Sequence, residues 1–248
     1  MIVTEIQTRG YELDATRTIP PSVLVRYMEW GRWEFFNSKE IVLHQSINSV
    51  VVATQSLALL APIQERVNLH IHVWLSRVGN TSMDISQLIV DRDSGSPVAM
   101  GRATLVNVGQ DGRPYPVSEA TRTLVENAPA GFDPALFPII ESASPPDDAG
   151  AMERRVMASE IDLLQHVNHS RYVDYVEDAR KLLLASQSPA AETIQGLTVA
   201  YVKEALHADV LTIKTWPVKG GESVQSEISR NGEVLAKASV KTPCRNQS

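Results

Sequence analysis

The sequence predicts an α+β protein built from two tandem units, each a long helix wrapped by an antiparallel sheet. Three observations lead there. The same order of signals occurs twice: a short strand-like segment, an amphipathic helix, then a series of strands. An offset of 148 residues superposes Glu29-Trp-Gly-Arg32 on Glu177-Asp-Ala-Arg180, together with Asp14 on Asp162, Ser22 on Ser170 and Tyr27 on Tyr175. Helix packing does not require polar matches of this kind, so they point to an internal duplication. Turn signals then divide the rest of each half into hairpin-length pieces.

Taken in order, residues 1–11 read as the first strand. Leu24, Tyr27, Met28, Gly31 and Phe35 follow at the spacing that lines one face of a helix. Leu69, Ile71, Val73 and Leu75 alternate with Asn68, His70, His72 and Trp74, the period of a strand. Turns at Arg77-Val-Gly-Asn80 and Asp91-Arg-Asp-Ser-Gly95 join further strands. In the second half the strand falls at 155–161, and Tyr172, Tyr175, Val176, Ala179 and Leu183 mark the helix. Turns follow at Lys219-Gly-Gly221 and Arg230-Asn-Gly232. A sheet wrapped round the first helix should also bury Trp30, Trp33 and Phe36, which lie off its main stripe. Prolines and glycines punctuate residues 112–148. The expected domains are therefore 1–116, a connector at 117–150 with a short helix over 118–127, and 151–248.

Composition narrows the function. The chain has 248 residues, 43% of them hydrophobic, enough for a sizeable core. Its 29 acidic and 23 basic residues give a net charge of −6. That balance argues against a nucleic-acid partner or an anionic membrane surface. Residues 41–64 carry no formal charge, but His44, Gln45, Asn48 and Gln55 among them would be costly in hydrocarbon, so they read as strand. Cys244 is the single cysteine and no apolar leader opens the chain, so a reducing, cytoplasmic setting is expected. There is no glycine-rich phosphate loop and no Gly-x-Ser-x-Gly elbow. His70 and His72 share a strand face without a third ligand at a recognisable spacing, so neither a metal nor a cofactor is expected.

The chemistry concentrates in Glu160-Ile-Asp-Leu-Leu-Gln-His-Val-Asn-His-Ser-Arg-Tyr-Val-Asp-Tyr175. Asp162, His166 and Asn168 stand on the loop leading into the second helix, where unpaired amides and the helix dipole favour negative charge. A carboxylate and an imidazole at such a point suit general-base hydrolysis beside an oxyanion. Blander readings apply elsewhere. Asp14, which lacks those companions, reads as a helix cap, and His169 and Arg171 read as surface residues; Glu29/Arg32 and Glu177/Arg180 have the spacing of i,i+3 surface pairs, while their recurrence in both halves suggests a shared structural role near the helix.

Asp162-Leu-Leu-Gln-His-Val-Asn168, with Tyr172 and Glu177-Asp-Ala-Arg180 behind it, resembles the signature of hot-dog-fold thioesterases. The glutamine before His-Val-Asn is similar to plant-type fatty acyl-ACP thioesterases, which are double hot-dogs with a catalytic second half. Gly112-Arg-Pro-Tyr-Pro-Val-Ser-Glu-Ala-Thr-Arg122 resembles the tract that closes a unit in such enzymes. Val199-Ala-Tyr-Val-Lys-Glu204 resembles their strand ending in a catalytic glutamate. The resemblance implies a double hot-dog thioester hydrolase acting on a fatty acyl group carried by acyl carrier protein or CoA. It makes Asp162 the carboxylate acting on water or directly on the carbonyl, and His166 the orienting or polarising group. Glu204 becomes a second carboxylate, and Asn168 caps the helix while facing substrate.

Two positions depart from the family. Leu164 stands where the plant-type enzymes have asparagine, and Ala205 where they have cysteine, which excludes thiol catalysis there. In the first half Thr18 and Pro20 fall at the histidine and asparagine positions, so that unit reads as an acyl-chain binding copy without catalysis. Leu24, Met28, Phe35 and Tyr172 are the expected contacts of the acyl group. Other readings are a double hot-dog hydratase or dehydratase of 3-hydroxyacyl thioesters and a non-catalytic acyl or carrier binding protein. Two fused units make either a monomer or a further homodimer compatible with the sequence.

Overall fold

The computed structural model describes residues 1–39, 50–109, 111–184, 194–218 and 223–243. The chain divides into two compact units, Met1–Pro134 and Ala135–Ser248. Predictions that fall on residues 41–49, on Lys219-Gly-Gly221, on Cys244 and on the side chain of Leu183 lie outside the described residues.

The first unit contains β1 (Ile2–Gln7), α1 (Pro21–Ser38), β2 (Val50–Leu59), β3 (Asn68–Val78), β4 (Ser82–Asp91), β5 (Pro97–Asn107) and α2 (Glu119–Arg122). Its strands are antiparallel neighbours in the order β1-β3-β4-β5-β2. Leu69, Ile71 and Val73 of β3 are fully buried, as are Leu24, Met28 and Phe35 of α1. The two elements meet closely at Gly31, where a Cβ would lie 2.8 Å from the Gln87 side-chain nitrogen and 3.2 Å from Val73.

Three expectations change in this unit. Phe36 is buried, but Trp30 and Trp33 are 37% and 44% exposed, because the sheet covers only the Leu24–Phe35 face of α1. The unit also continues past residue 116. Val117 donates to the Asn80 carbonyl, Glu126 donates to that of Leu75, and Phe132 packs edge-on against Trp74 at 4.9 Å. Residues that read as connector thus cover the second face of β3, which is why Trp74 is buried beside Val73. The short helix spans only Glu119–Arg122, capped by the Ser118 hydroxyl on the Thr121 amide at 3.1 Å.

The second unit contains β6 (Gly150–Arg155), α3 (His169–Leu184), β7 (Gly196–Tyr201), β8 (Val210–Pro217), β9 (Ser223–Arg230) and β10 (Glu233–Lys241). Its antiparallel order is β7-β10-β9-β8-β6. The β9–β10 connection uses Asn231 (φ 52°) and Gly232 (φ 79°), as a tight primed hairpin turn requires. Its first strand occupies 150–155 rather than 155–161. The Glu160 carboxylate accepts the Met157 amide at 2.7 Å and folds residues Ala158–Glu160 into a 3-10 turn instead.

The duplication holds in three dimensions. β6 begins 148 residues after β1, the turn at Ala158 148 after that at Gly10, and α3 148 after α1. Arg17 and Gln165, at the same offset, have φ of 63° and 64°. Asp14 accepts the Thr16 amide at 2.8 Å and Asp162 that of Leu164 at 2.9 Å. Asp14 therefore closes its own Asx turn and does not cap α1, whose cap position is Pro20.

Glu177 and Arg180 are not a surface pair. Arg180 is fully buried, and its Nε and Nη2 donate to the two Glu177 carboxylate oxygens at 2.9 Å each. Arg32 is likewise buried and donates to Gln55 Oε1 at 3.0 Å. Both helices bury these positions against their sheets, so the charges need internal partners.

Candidate active site

The loop from Glu160 to Asn168 is shaped by its own backbone. Asp162 donates to the His166 carbonyl at 2.9 Å and Gln165 donates to that of Asp162 at 3.0 Å. The left-handed Gln165 makes this tight return possible, and Ile161 bridges Val167 across it. Asp162 and His166 are thereby brought together, with Oδ1 and Nδ1 3.6 Å apart and about a quarter of each side chain exposed (23% and 27%). A proton on Nδ1 also faces the Val167 carbonyl at 3.3 Å. Asn168 caps α3: its Oδ1 accepts the Ser170 amide at 2.9 Å and hydroxyl at 2.7 Å. The acid and the imidazole consequently share the loop that leads into a 16-residue helix, whose start is the positive end of its dipole.

Glu204 reaches this loop through its neighbours. Val202 and Lys203 donate to the Leu235 carbonyl at 2.8 and 3.1 Å. The Ala205 carbonyl accepts the Val167 amide at 2.9 Å, and the Ala205 amide donates to the Tyr172 hydroxyl at 2.9 Å. The Glu204 side chain itself is exposed. Burial pushes the Tyr172 phenol up to about 12; the Ala205 amide opposes that shift and the Glu204 carboxylate adds to it. His169 and Arg171 are half-buried rather than on the open surface.

Several residues were missed by sequence reasoning. The Tyr201 hydroxyl donates to the His169 carbonyl at 2.9 Å, and its ring meets Tyr172 edge-on at 5.4 Å. Arg154 pairs with Glu160 and lies 3.8 Å from the Tyr175 ring centroid. The Glu160 carbonyl accepts the Asn168 amide at 3.0 Å. The one available signal was Glu160 itself, which recurs as Glu12 at the 148 offset.

In the first unit the matching turn carries hydroxyls. Thr16 donates to Asp14 at 2.6 Å and lies 2.8 Å from the Thr18 hydroxyl, with no imidazole at the position of His166. Leu24, Met28 and Phe35 belong to this unit's fully buried core. Among the described residues no cluster of three His, Cys, Asp or Glu side chains is placed to hold a metal. None of the described helices is long and apolar enough to cross a membrane.

A long helix packed on an antiparallel sheet, present twice in one chain, defines the double hot-dog class. Residues 11–148 match the thioesterase-like superfamily, and residues 144–242 match the acyl-ACP thioesterase C-terminal domain. Comparison with curated proteins gives no significant match. Among solved structures, an acyl-ACP thioesterase from Bacteroides thetaiotaomicron superposes with a TM-score of 0.83 at 17% identity, covering 98% of this chain and 97% of that one. The 12:0-ACP thioesterase from Umbellularia californica superposes with a TM-score of 0.80 at 18% identity, covering 98% and 96%. The chain belongs to the acyl-ACP thioesterase family.

Proposed function

We propose that the chain hydrolyses a fatty acyl thioester on a phosphopantetheine arm, with acyl carrier protein as the expected carrier and CoA as the alternative. The observation that carries this reading is the pairing of Asp162 with His166 at the start of α3. In the proposed reaction a water attacks the thioester carbonyl, the Asp162 carboxylate takes its proton, and the carbon–sulfur bond breaks as that proton passes to the departing sulfur, giving free acid and thiol and restoring the carboxylate. His166 orients or polarises the reacting group, and Glu204 serves as the second carboxylate. The oxyanion develops at the positive end of the α3 dipole. Asn168 holds the start of α3 so that this end keeps its aim.

Leu164 cannot hydrogen-bond a water, but its backbone amide already fixes Asp162 Oδ1 at 2.9 Å, which supports a role for the carboxylate without a neighbouring amide side chain. The first unit supplies the acyl-binding wall in this reading, with Leu24, Met28 and Phe35 facing the chain. Since these three are fully buried, the acyl group must displace core contacts to enter.

A chromogenic thiol assay with medium- and long-chain acyl thioesters, on both carriers, tests the proposal beside an enoyl-absorbance assay. Release of free thiol is the expected result. A change in enoyl absorbance alone would make the protein a hydratase or dehydratase, and tight binding without turnover would make it a carrier or acyl binding protein.

A further inference from the structure

The internal duplication separates what the fold needs from what the site needs. Hydrogen bonds present in both copies serve the fold. The bond from the loop before the helix to the incoming strand end is one of these: Ile19 donates to the Ile63 carbonyl at 2.8 Å, as Val167 does to that of Ala205 at 2.9 Å. A second bond exists only in the copy that holds Asp162 and His166. There the buried Ala205 amide, directly after Glu204, donates to the Tyr172 hydroxyl at 2.9 Å. The first copy has Leu24 in place of Tyr172 and Ile63 in place of Ala205, and a leucine side chain accepts no hydrogen bond.

We propose that Tyr172 is a positioning residue for the hydrolytic reaction, fixing Glu204 against the His166 loop through the Ala205 peptide. This rests on the reading of the site given above. Ala205 is held through both of its backbone groups, its amide by the α3 phenol and its carbonyl by the loop between His166 and Asn168. Glu204 is the next residue back along the chain, so its backbone follows wherever Ala205 is held. The phenol is itself held in place. Tyr201 packs edge-on against its ring at 5.4 Å, and only 2% of Tyr172 is exposed. Tyr172 thus acts through Glu204 and not through the acyl chain, which separates its effect on kcat from any on KM.

The test is a double-mutant cycle on the full chain with Tyr172→Phe and Glu204→Gln, followed by thiol release. Tyr172→Phe keeps the ring and removes only the oxygen. It should lower kcat by about 10–100-fold, the scale of a misplaced group, with KM within about twofold of the wild type. In the Glu204→Gln background the same change should lower kcat by less than about twofold, because its target is already gone. Amide exchange over residues 203–209 should speed up in Tyr172→Phe while residues 61–67 stay as in the wild type, which shows a local effect and guards against general misfolding. A KM change with kcat intact, full multiplicative loss in the double variant, or unchanged exchange at 203–209 would overturn the proposal. A wild-type chain that releases no thiol from any acyl thioester would instead end the underlying hydrolytic reading, and the positioning role with it.

Discussion

Asp162→Asn separates the chemistry of the site from its architecture. In the structure Asp162 Oδ1 does two things: it accepts the Leu164 amide at 2.9 Å and lies 3.6 Å from His166 Nδ1. An asparagine oxygen can accept the same amide, so the turn survives with a neutral bond in place of a charge-assisted one. That exchange costs about 1 kcal/mol or less. The carboxylate's capacity to take a proton is lost altogether. General-base assistance contributes roughly 10²–10⁴ in rate, or about 3–5 kcal/mol of activation free energy. The kinetic loss should therefore exceed the stability loss by about 2 kcal/mol or more. Steady-state thiol release gives the first quantity and urea unfolding the second. The duplication supplies the control, because Asp14→Asn alters the same turn in the first unit, at 2.8 Å from the Thr16 amide. It should leave turnover unchanged. An Asp162→Asn enzyme within tenfold of wild-type turnover, or an Asp14→Asn enzyme equally impaired, would refute the assignment.

Three further outcomes are expected. Glu177→Ala should destabilise the protein by about 3–5 kcal/mol in urea unfolding, because it removes the paired carboxylate of the fully buried Arg180, whereas Glu177→Ala with Arg180→Met should recover most of the loss; equal losses in both variants would contradict the pairing. Burial raises the Tyr27, Tyr172 and Tyr175 phenols. The unfolded chain ionises them first, so stability should be intact below pH 10 and fall as pH rises from 10 to 12, Tyr172 alone accounting for about 3 kcal/mol; a flat urea midpoint across that window would contradict it. Met28→Ala should cost about 2–5 kcal/mol and shift substrate preference toward longer acyl chains, measured by competition between thioesters of different length; an unchanged preference would remove Met28 from the acyl wall.

Much of the architecture was readable because the two copies check each other. The helical spacing of Leu24 to Phe35 and of Tyr172 to Leu183 marked both helices, and the shared offset of Asp14 and Asp162, and of Glu29/Arg32 and Glu177/Arg180, paired them as copies. What stayed hidden depended on contacts between distant segments. An i,i+3 acid–base pair looks the same on a solvated face and in a core, and only the sheet against α3 decides that Arg180 is buried. The exposure of Trp30 and Trp33 depends on how far the sheet wraps α1, which helical periodicity does not state. In the candidate site, Asp162, His166 and Asn168 were legible because one short loop carries them all. The Tyr172–Ala205 bond was not, because its partners lie 33 residues apart and one of them is a backbone amide.

The two copies have kept the same length from the opening strand to the helix: β1 to α1 and β6 to α3 run in step at 148. Behind the helices the correspondence slips. Ile63 matches Ala205 and Arg66 matches Ala208 at 142, and β2 has ten residues where β7 has six. Residues ahead of each helix have thus resisted insertion and deletion while the stretch behind it drifted. An engineer wanting to splice in an affinity handle or a reporter should leave residues 1–38 and 150–184 at their present length and work on the chain that follows each helix.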